Sequence, residues 1–384
     1  MRRVYLDHNA STPVHPEVLA AMLPYFSERF GNASSIHGFG REARDGIDVA
    51  RERIAAFLGV TPEEIVFTSG GTESDNLAIK GVAGARPGGH IITTQVEHHA
   101  VLRTCQALEK AGHAVTFLPV DGEGLVDPDD VRRALRADTS LISIQSANSE
   151  TGTLMPVEEI GRIAAERGIP FHADGVQTFG KLPFSLRESG IALFSMSSHK
   201  IYGPKGIGAL YVRKGTRMVS VQHGGDHERR RRAGTENVPA IVGFGRAVEL
   251  RVRDMASEAA RVSALRDRLW DGVRQAVPEV RLNGHTTRRL PGTLNMSFRG
   301  LEAESLILAL DLKGIGVSAG SACTSGSLEP SYVITAMGVP AEWSLGAVRT
   351  SLGGGTTADD VEYVLEVLPA AVQRIRGLSP VGAS

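Results

Sequence analysis

The 384-residue sequence contains only two cysteines, Cys105 and Cys323. A disulfide framework needs more pairs than two cysteines can form, so a small secreted scaffold is excluded and a reducing compartment is favoured. No apolar run approaches the roughly 20 residues that span a bilayer. The opening residues, Met1-Arg2-Arg3, are not followed by the apolar segment of a signal peptide. We therefore expect a cytoplasmic location and no membrane partner.

An excess of charge of either sign is also missing, because the formal net charge is only −1. The sequence thus gives no electrostatic reason to expect nucleic acid as a direct partner. One local exception is the run of four arginines at 229–232, which is more typical of a solvated or interface patch than of a nucleic-acid site. A hydrophobic content of 42% and a charged content of 22% are those of an ordinary globular protein long enough for two domains.

Short β-branched apolar runs alternate with helical patterns over the first 212 residues. This order predicts an α/β fold with a mostly parallel seven-stranded sheet between layers of helices. The last two strands are joined by a loop without a helical pattern, which allows one of them to be antiparallel. The seven predicted strands are 64–68, 90–94, 114–118, 140–144, 169–173, 192–196 and 207–212.

The pattern changes after residue 235, where 238–277 is almost uninterrupted helix. Shorter strand and helix patterns follow and predict a smaller α+β domain. We expect a large domain over 13–255 and a small domain made of 1–12 and 256–384, which carries Cys323.

Polar side chains follow four of the predicted parallel strands. Ser69-Gly70-Gly71-Thr72 precedes a helix, and glycines before a helix N-terminus can cradle a phosphate. Asp174 ends another strand, while 97–99 and 148–150 occupy equivalent places after two more. Ligands of open α/β sheets bind at the carboxyl ends of the strands, so four such groups at one edge predict a site.

Two residues in this pattern are candidate nucleophiles. Lys200 lies in the connection between two core strands, where desolvation can free a neutral amine for a Schiff base; a plain surface lysine is the alternative. Cys323 lies in a run of small polar residues, which indicates exposure and reactivity. Cys105 lies among apolar residues and reads as an inert core thiol. Arg349 could pair a carboxylate or be structural.

Taken together, these motifs resemble those of the cysteine desulfurases of the NifS/IscS type. These are class V aminotransferase enzymes that use pyridoxal 5'-phosphate (PLP) and have fold type I. The resemblance runs from the amino terminus to beyond residue 350, in the order expected of that family. The matching segments are Tyr5-Leu6-Asp7-His8-Asn9-Ala10, Phe67-Thr68-Ser69-Gly70-Gly71-Thr72-Glu73-Ser74-Asp75-Asn76, Glu97-His98, His172-Ala173-Asp174-Gly175-Val176-Gln177, Ser197-Ser198-His199-Lys200-Ile201-Tyr202-Gly203-Pro204-Lys205-Gly206, Ala233-Gly234-Thr235-Glu236-Asn237 and Gly320-Ser321-Ala322-Cys323.

The resemblance implies a role for each matching residue. Lys200 would form the Schiff base with PLP and move protons, and Asp174 would pair with the ring nitrogen. His98 would lie over the ring as an acid–base group. Cys323 would attack the sulfur of the bound substrate and carry it as a persulfide. The remaining contacts to PLP would come from Gly71, Thr72, Ser149, Gln177, Ser197, His199 and, from a second subunit, Thr235.

For the substrate, the resemblance implies that Arg349 and Asn148 bind L-cysteine, which becomes L-alanine. It further implies a homodimer and a protein that accepts the sulfur, such as an iron–sulfur scaffold or a tRNA-thiolation factor. Cys323 could also ligate an iron–sulfur cluster transiently through its persulfide. The sequence departs from the family pattern in four places. Ser149 stands where Asn is common, Ser198 where Gly is usual and Gly71 where Ala is frequent, and Gly353-Gly354-Gly355 follows Arg349 where a second arginine sometimes occurs.

Three alternatives remain open from the sequence. A class V aminotransferase would use the same fold, although it needs no nucleophile such as Cys323. A selenocysteine lyase is chemically close. A non-catalytic protein that only delivers sulfur would have no need to retain Lys200, Asp174 and His98 together.

Overall fold

The computed structural model describes residues 2–320 and 329–378. In this part of the chain the strands are β1 (Val4–Tyr5), β2 (Ile65–Thr68), β3 (His90–Thr94), β4 (Ala114–Leu118), β5 (Thr139–Ser143), β6 (Phe171–Asp174), β7 (Leu193–Ser197), β8 (Gly208–Val212), β9 (Val280–Asn283), β10 (Thr293–Phe298), β11 (Ile315–Gly316) and β12 (Ala347–Ser351). The helices are α1 (Pro16–Met22), α2 (Pro24–Ser27), α3 (Gly38–Leu58), α4 (Gly71–Ala85), α5 (His99–Lys110), α6 (Pro128–Ala134), α7 (Val157–Glu166), α8 (Val238–Ala276), α9 (Ala303–Asp311), α10 (Tyr332–Ala336), α11 (Ala341–Ser344) and α12 (Ala358–Leu378).

Seven strands form the central sheet in the order β2-β8-β7-β6-β5-β3-β4. Only β8 runs antiparallel to its neighbours, β2 and β7, and the remaining pairs are parallel. Every residue of β2, β3, β5, β6, β7 and β8 is buried. Strands covered on both faces need no exposed polar side, and the polar residues that these strands contain are buried as well. The predicted α/β class and seven-stranded sheet are confirmed.

The long helix α3 shows how the sequence determines one of the covering layers. Its apolar residues Ala43, Ile47, Ala50 and Ile54 recur every three or four positions and are at most 2% exposed. Gly59 ends the helix in the left-handed conformation (φ 69°), which a glycine adopts without strain. This buried face packs against α8, where Gly245 lets Ala50 approach closely.

A second, antiparallel sheet has the order β12-β10-β9, and β1 pairs in parallel with β11. A separate apolar cluster joins Val4 and Leu6 to core residues between 262 and 372.

The proposed domain boundary at 255/256 falls within α8, which continues without interruption across it. That boundary therefore stays a prediction. Over the described residues, no helix combines the length and apolarity needed to cross a membrane.

The sheet brings the sequence-predicted polar groups to one edge. Because β2, β3, β5, β6 and β7 run in the same direction, their carboxyl ends meet there. The segments that follow these five ends carry Gly71, His98, Asn148, Asp174 and Lys200.

Candidate active site

Asp174 is the last residue of β6 and is 8% exposed. Its Oδ1 accepts a hydrogen bond from the backbone N–H of Val176 at 2.9 Å, and its backbone carbonyl accepts from the Ser146 hydroxyl at 2.9 Å. Burial raises the pKa of Asp174, whereas nearby His98 and Lys200 lower it. A cationic partner would therefore stabilise the carboxylate form of Asp174.

His98 immediately precedes α5 and caps it, because its Nδ1 accepts the backbone N–H of Ala100 at 3.1 Å. This bond leaves the proton of the neutral ring on Nε2. Burial is the main cause of the lowered pKa of His98, with the charge of Lys200 adding to it. A ring nitrogen of His98 and one carboxylate oxygen each of Asp75 and Asp174 lie within 4.8 Å of one another. His98 is thus a neutral imidazole beside Asp174.

Two further buried acids lie behind this pair. Burial raises the pKa of Glu97 to about 8 and raises that of Asp75 well above its usual value. Asp75 lies 3.5 Å from Nε2 of His172, a ring held between the hydroxyls of Ser143 and Ser195. Three unpaired negative charges cannot share so dry a region, which favours protonated Asp75 and Glu97 and leaves the charge to Asp174.

Lys200 ends a short 3₁₀ turn, Ser198–Lys200, between β7 and β8. Its Nζ donates to the backbone carbonyls of Asn9 (2.5 Å) and Ala10 (2.8 Å). The amino-terminal strand segment therefore holds the amine against the edge of the central sheet.

The unusual Ser198 is accommodated by a glycine nearby. Ser198 is fully buried, and a Cβ on Gly203 would lie only 1.9 Å from its Oγ. Tyr202, between them, adopts a left-handed φ of 67° and is fixed by Thr12 Oγ1, which accepts its N–H at 2.7 Å. The serine therefore fits without displacing Lys200, because Gly203 leaves room for the extra hydroxyl.

The segment between β2 and α4 forms an anion cradle. Gly70 has φ 152° and ψ −176°, a conformation open to glycine, and α4 begins at the next residue. The N–H groups of the first helical turn have no intrahelical acceptor and carry the positive end of the helix dipole. A Cβ on Gly71 would lie 2.7 Å from Val176 and 3.7 Å from the Cβ of Ser197, so the glycine leaves more room in this cradle than a larger residue would.

Two predicted phosphate ligands flank the cradle. Ser197 is the last residue of β7 and is buried, and His199 lies two residues further on. Burial, followed by the charge of Lys200, lowers the pKa of His199 to about 4. His199 is therefore neutral near pH 7 and can offer a ring N–H to an anion.

Gln177 is bound to a second lysine that the sequence reading did not single out. Its Oε1 accepts from Lys181 Nζ at 2.8 Å, and its Nε2 donates to the backbone carbonyl of Asn9 at 3.1 Å. Lys181 Nζ also donates to Asn9 Oδ1 at 3.2 Å. Burial and then the charge of Lys200 lower the pKa of Lys181 to about 7. The spacing of four residues between Gln177 and Lys181 is compatible with a side-chain contact and was a signal in the sequence. A lysine after a loop, however, normally indicates a surface position.

Arg349 lies on β12 and is 3% exposed. Its Nη2 donates to Asp7 Oδ1 at 2.8 Å and its Nη1 to the backbone carbonyl of Ser149 at 3.1 Å. The buried Nε has no hydrogen-bond partner in the part of the chain that the structure describes. Among the described residues, Arg349 thus has one donor without a partner. Ser149, which departs from the family pattern, contacts Arg349 through its backbone carbonyl.

Asn148 has hydrogen-bond partners within the chain, and its contact with the substrate stays a prediction. Its Oδ1 accepts from the N–H groups of Glu150 and Thr151, and its Nδ2 donates to the carbonyl of Val96. The amide therefore closes a turn and ties that turn to the segment before His98. The sequence contained a signal for this turn, since Asn side chains commonly accept a hydrogen bond from the backbone two residues on.

Glu150 lies next to the described ends of the segment that carries Cys323. Its Oε2 accepts from the Ser331 hydroxyl at 2.5 Å, and a Cβ on Gly320 would approach the same oxygen to 2.4 Å. Cys323 itself lies outside the described residues. Cys105 is fully buried, and burial raises the pKa of its thiol to about 12, as expected for an inert core cysteine.

Thr235 is exposed and lines a surface pocket of about 180 Å³ together with Thr68 and Ser69, the residues that lead into the anion cradle. The arginine run before it is partly tied down, because Arg232 pairs with Glu73 of α4 at 2.7 Å. Glu73 in turn accepts the backbone N–H of Ser69 at 2.7 Å. This pairing fits the interpretation of the run as an interface or solvated patch.

The arrangement fits PLP on observations of this chain alone. A buried carboxylate, a neutral imidazole and an amine are arranged at one sheet edge, and an open glycine cradle at a helix N-terminus lies beside them. A ring with a basic nitrogen, an aldehyde and a phosphate requires those four features. His98, Asp75 and Asp174 could in principle ligate a metal, although the raised pKa of Asp75 favours its uncharged form and thus weakens one of the three ligands.

Comparison with known proteins gives the same result. The model of the family "Aminotransferase class-V" matches residues 4–364. Cysteine desulfurase IscS of Dictyoglomus turgidum is 53% identical, covering 99% of this chain and 97% of that protein. The IscS of Methanosarcina thermophila is 52% identical, covering 99% and 94%. A solved "NifS-like protein" has a TM-score of 0.92 and 39% identity, covering 97% of this chain and all of that one.

These findings confirm the predicted family, the fold type and PLP as the cofactor. They cover nearly the whole chain, so no large part of it lacks a counterpart in the relatives. The chain belongs to the class V aminotransferase family, among the cysteine desulfurases of the NifS/IscS type.

Proposed function

We propose that this enzyme converts L-cysteine to L-alanine and transfers the sulfur to Cys323 as a persulfide. In this reaction the substrate Cβ–S bond breaks, a new S–S bond forms at Cys323, and the carbon takes a proton. The observation that carries the proposal is the grouping of Asp174, His98 and Lys200 at one sheet edge. The buried Arg349 adds a donor that has no partner among the described residues. Detection of alanine and sulfide from cysteine in the presence of a reducing thiol tests it.

PLP, when bound, withdraws electrons from the substrate Cα and thereby makes the bonds around it easier to break. Asp174, buried at the end of β6, supplies the negative charge that favours a protonated ring nitrogen. The glycine cradle and the neutral His199 would hold the phosphate, together with Ser197 and Thr72. Ser149 and Gln177 would complete the contacts from the protein.

Lys200 and His98 are the groups suited to moving protons. Lys200 can attack a carbonyl carbon only as a neutral amine. Its backbone acceptors on Asn9 and Ala10 hold it at the sheet edge. His98 is neutral, so it can act as a base by taking up a proton on Nδ1 when that nitrogen releases the N–H of Ala100, and it can then return the proton as an acid.

Arg349 is proposed to bind the substrate carboxylate through its free Nε and by exchanging its bond to Asp7. Changing Arg349 to Lys keeps the positive charge but removes the forked donors. We expect the KM for cysteine to rise about 10- to 100-fold, since a hydrogen bond to a charged group contributes about 1.5–3 kcal/mol. Steady-state kinetics measure this, with the exposed Arg288→Lys as the matched control. An unchanged KM would assign the carboxylate to another residue.

A homodimer is proposed on two features of the described residues. The exposed side chains Leu23, Phe26 and Phe30 form an apolar surface beside α3, with Phe30 and Phe39 in ring contact at 5.7 Å. Arg44 of α3 pairs with Glu236, next to Thr235, at 3.2 Å. The same face of the chain therefore carries both an apolar surface and the residue expected to act on the partner's phosphate.

Sedimentation of the purified enzyme should give twice the chain mass. Changing Phe26 and Phe30 together to Ser should shift the enzyme towards monomer and reduce PLP retention, because Thr235 would no longer reach the second site. A fully active monomer would contradict this assignment.

The sulfur acceptor is proposed to be a separate protein, such as an iron–sulfur scaffold or a tRNA-thiolation factor. A persulfide on Cys323 could also ligate a cluster briefly during transfer.

The cytoplasmic location stays a prediction from the low cysteine content. A selenocysteine lyase is the chemically nearest alternative, and comparing the release of selenide and sulfide from the two substrates distinguishes it.

A further inference from the structure

Lys181 follows Gly180, which has a left-handed φ of 68°. A Cβ on Gly180 would lie 2.8 Å from Ile201, so this glycine allows the chain to pass close to the turn that ends at Lys200. Lys181 is directed towards Asn9, whose Oδ1 accepts from it at 3.2 Å, and its second acceptor is Gln177 Oε1 at 2.8 Å. Both acceptors are neutral amides.

Lys200 is bound to the same asparagine from the other side. Its Nζ donates to the backbone carbonyl of Asn9, while Lys181 donates to the Asn9 side chain. Lys181 and Lys200 also line one cavity of about 40 Å³, which is large enough for at least one water molecule. A water in that cavity could therefore pass a proton between the two amines.

The charges around the two amines oppose a second positive charge. Besides Lys200, Arg349 and Arg251 act on Lys181, and Glu258 is the acid that favours its charged form. Glu258 is already used by Arg251 at 2.9 Å and by the hydroxyl of Tyr202 at 2.9 Å. The two nearby histidines, His8 and His199, both have a pKa lowered to about 4, so neither carries a charge near pH 7.

We propose that Lys181 is a positioning residue for Lys200: the two amines share one proton, and Lys181 holds it while Lys200 is neutral and reactive. The proton leaves the Lys200 ammonium and joins the Lys181 amine, so that no other reactant is needed. The ammonium of Lys181 also fixes the amide of Gln177, because only its oxygen can accept from Lys181. This inference rests on the proposed role of Lys200.

Burial is the main cause of the lowered pKa of Lys181, and the charge of Lys200 is the second. The second cause reflects the competition between the two amines for one proton. When Lys200 loses its proton, the second cause disappears and Lys181 keeps its proton to higher pH. Conversely, without an ammonium at position 181, Lys200 should hold its proton to higher pH.

The test compares Lys181→Met with Lys181→Arg, with Lys205→Met as a control at an exposed lysine. The rate at which PLP-depleted enzyme recaptures added PLP is followed by absorbance between pH 6 and pH 10. We expect the Met variant to need a pH about one unit higher for half-maximal capture, equivalent to tenfold slower capture near pH 7. Lys205→Met should match the parent enzyme. The Arg variant keeps a permanent positive charge that opposes an ammonium at Lys200, although it cannot accept the proton of Lys200, so it should capture PLP at a pH no higher than the parent enzyme does.

A second readout does not depend on turnover. Pulse labelling of the PLP-depleted enzyme with an amine-reactive reagent, read by mass spectrometry, reports the pH at which Lys200 becomes a neutral amine. Equal shifts in the Met and Arg variants, or no shift in either, would overturn the proposal. Failure of the parent enzyme to capture PLP at Lys200 would instead overturn the proposed function, so the two failures are distinguishable.

Discussion

Replacement of Lys200 by Ala is expected to abolish the borohydride-reducible bond between the enzyme and PLP. No other described amine has the same pair of backbone acceptors beside Asp174 and His98. Loss of a positioned proton-transfer group also lowers the rate of the chemical step by about 10²- to 10⁴-fold. Reduction with borohydride, digestion and peptide mass analysis measure the bond, and a cysteine turnover assay measures the rate.

The informative control is the neighbouring Lys205, which is exposed and follows Lys200 by five residues. Lys205→Ala should keep both the reducible bond and the activity. If Lys200→Ala retained a reducible bond, the labelled peptide would identify the amine responsible, and Lys181 would be the first candidate because it shares Asn9 with Lys200.

Replacement of Cys323 by Ala is expected to leave PLP bound while sulfide formation from cysteine collapses. A nucleophile held next to the reacting sulfur acts at an effective concentration of about 10⁵ M or more, which a millimolar thiol in solution cannot match. We therefore expect a loss of at least about a thousandfold. Absorbance of the bound cofactor and a sulfide assay on the same sample separate binding from chemistry.

The chain offers a matched control in its other cysteine. Cys105 is fully buried and its thiol pKa is raised to about 12, so Cys105→Ala should keep nearly all of the activity. Sulfide release at the parent rate from Cys323→Ala would remove Cys323 as the nucleophile. Equal losses in the two variants would point to a general effect of cysteine removal on the fold.

The sequence predicted the central sheet well because buried parallel strands leave a strong local pattern. The predicted strands at 90–94 and 114–118 match β3 and β4, and the remaining strands of that sheet shift by at most two residues. The positions of Asp174 and His98 followed from the same pattern, since Asp174 ends β6, His98 lies in the segment after β3, and the carboxyl ends of these strands meet.

Other parts of the site depend on contacts that no local pattern encodes. Lys181 resembles a surface lysine until the fold places Asn9, from the amino terminus, against it. Asn148 resembles a ligand-binding amide, yet its oxygen is used by the turn that it begins. The residue pattern allows Arg349 to be a carboxylate partner or a structural arginine, and its pairing with Asp7 depends on the register between β12 and the first residues.

The central claim is that this enzyme moves sulfur from cysteine to its own Cys323. The most direct measurement supplies L-cysteine to the purified PLP-bound enzyme without a reducing thiol and analyses the Cys323 peptide and free alanine together. The account predicts one added sulfur atom on Cys323 for each alanine released in the first turnover. Alanine release with an unmodified Cys323, or modification of Cys323 without alanine, would contradict it.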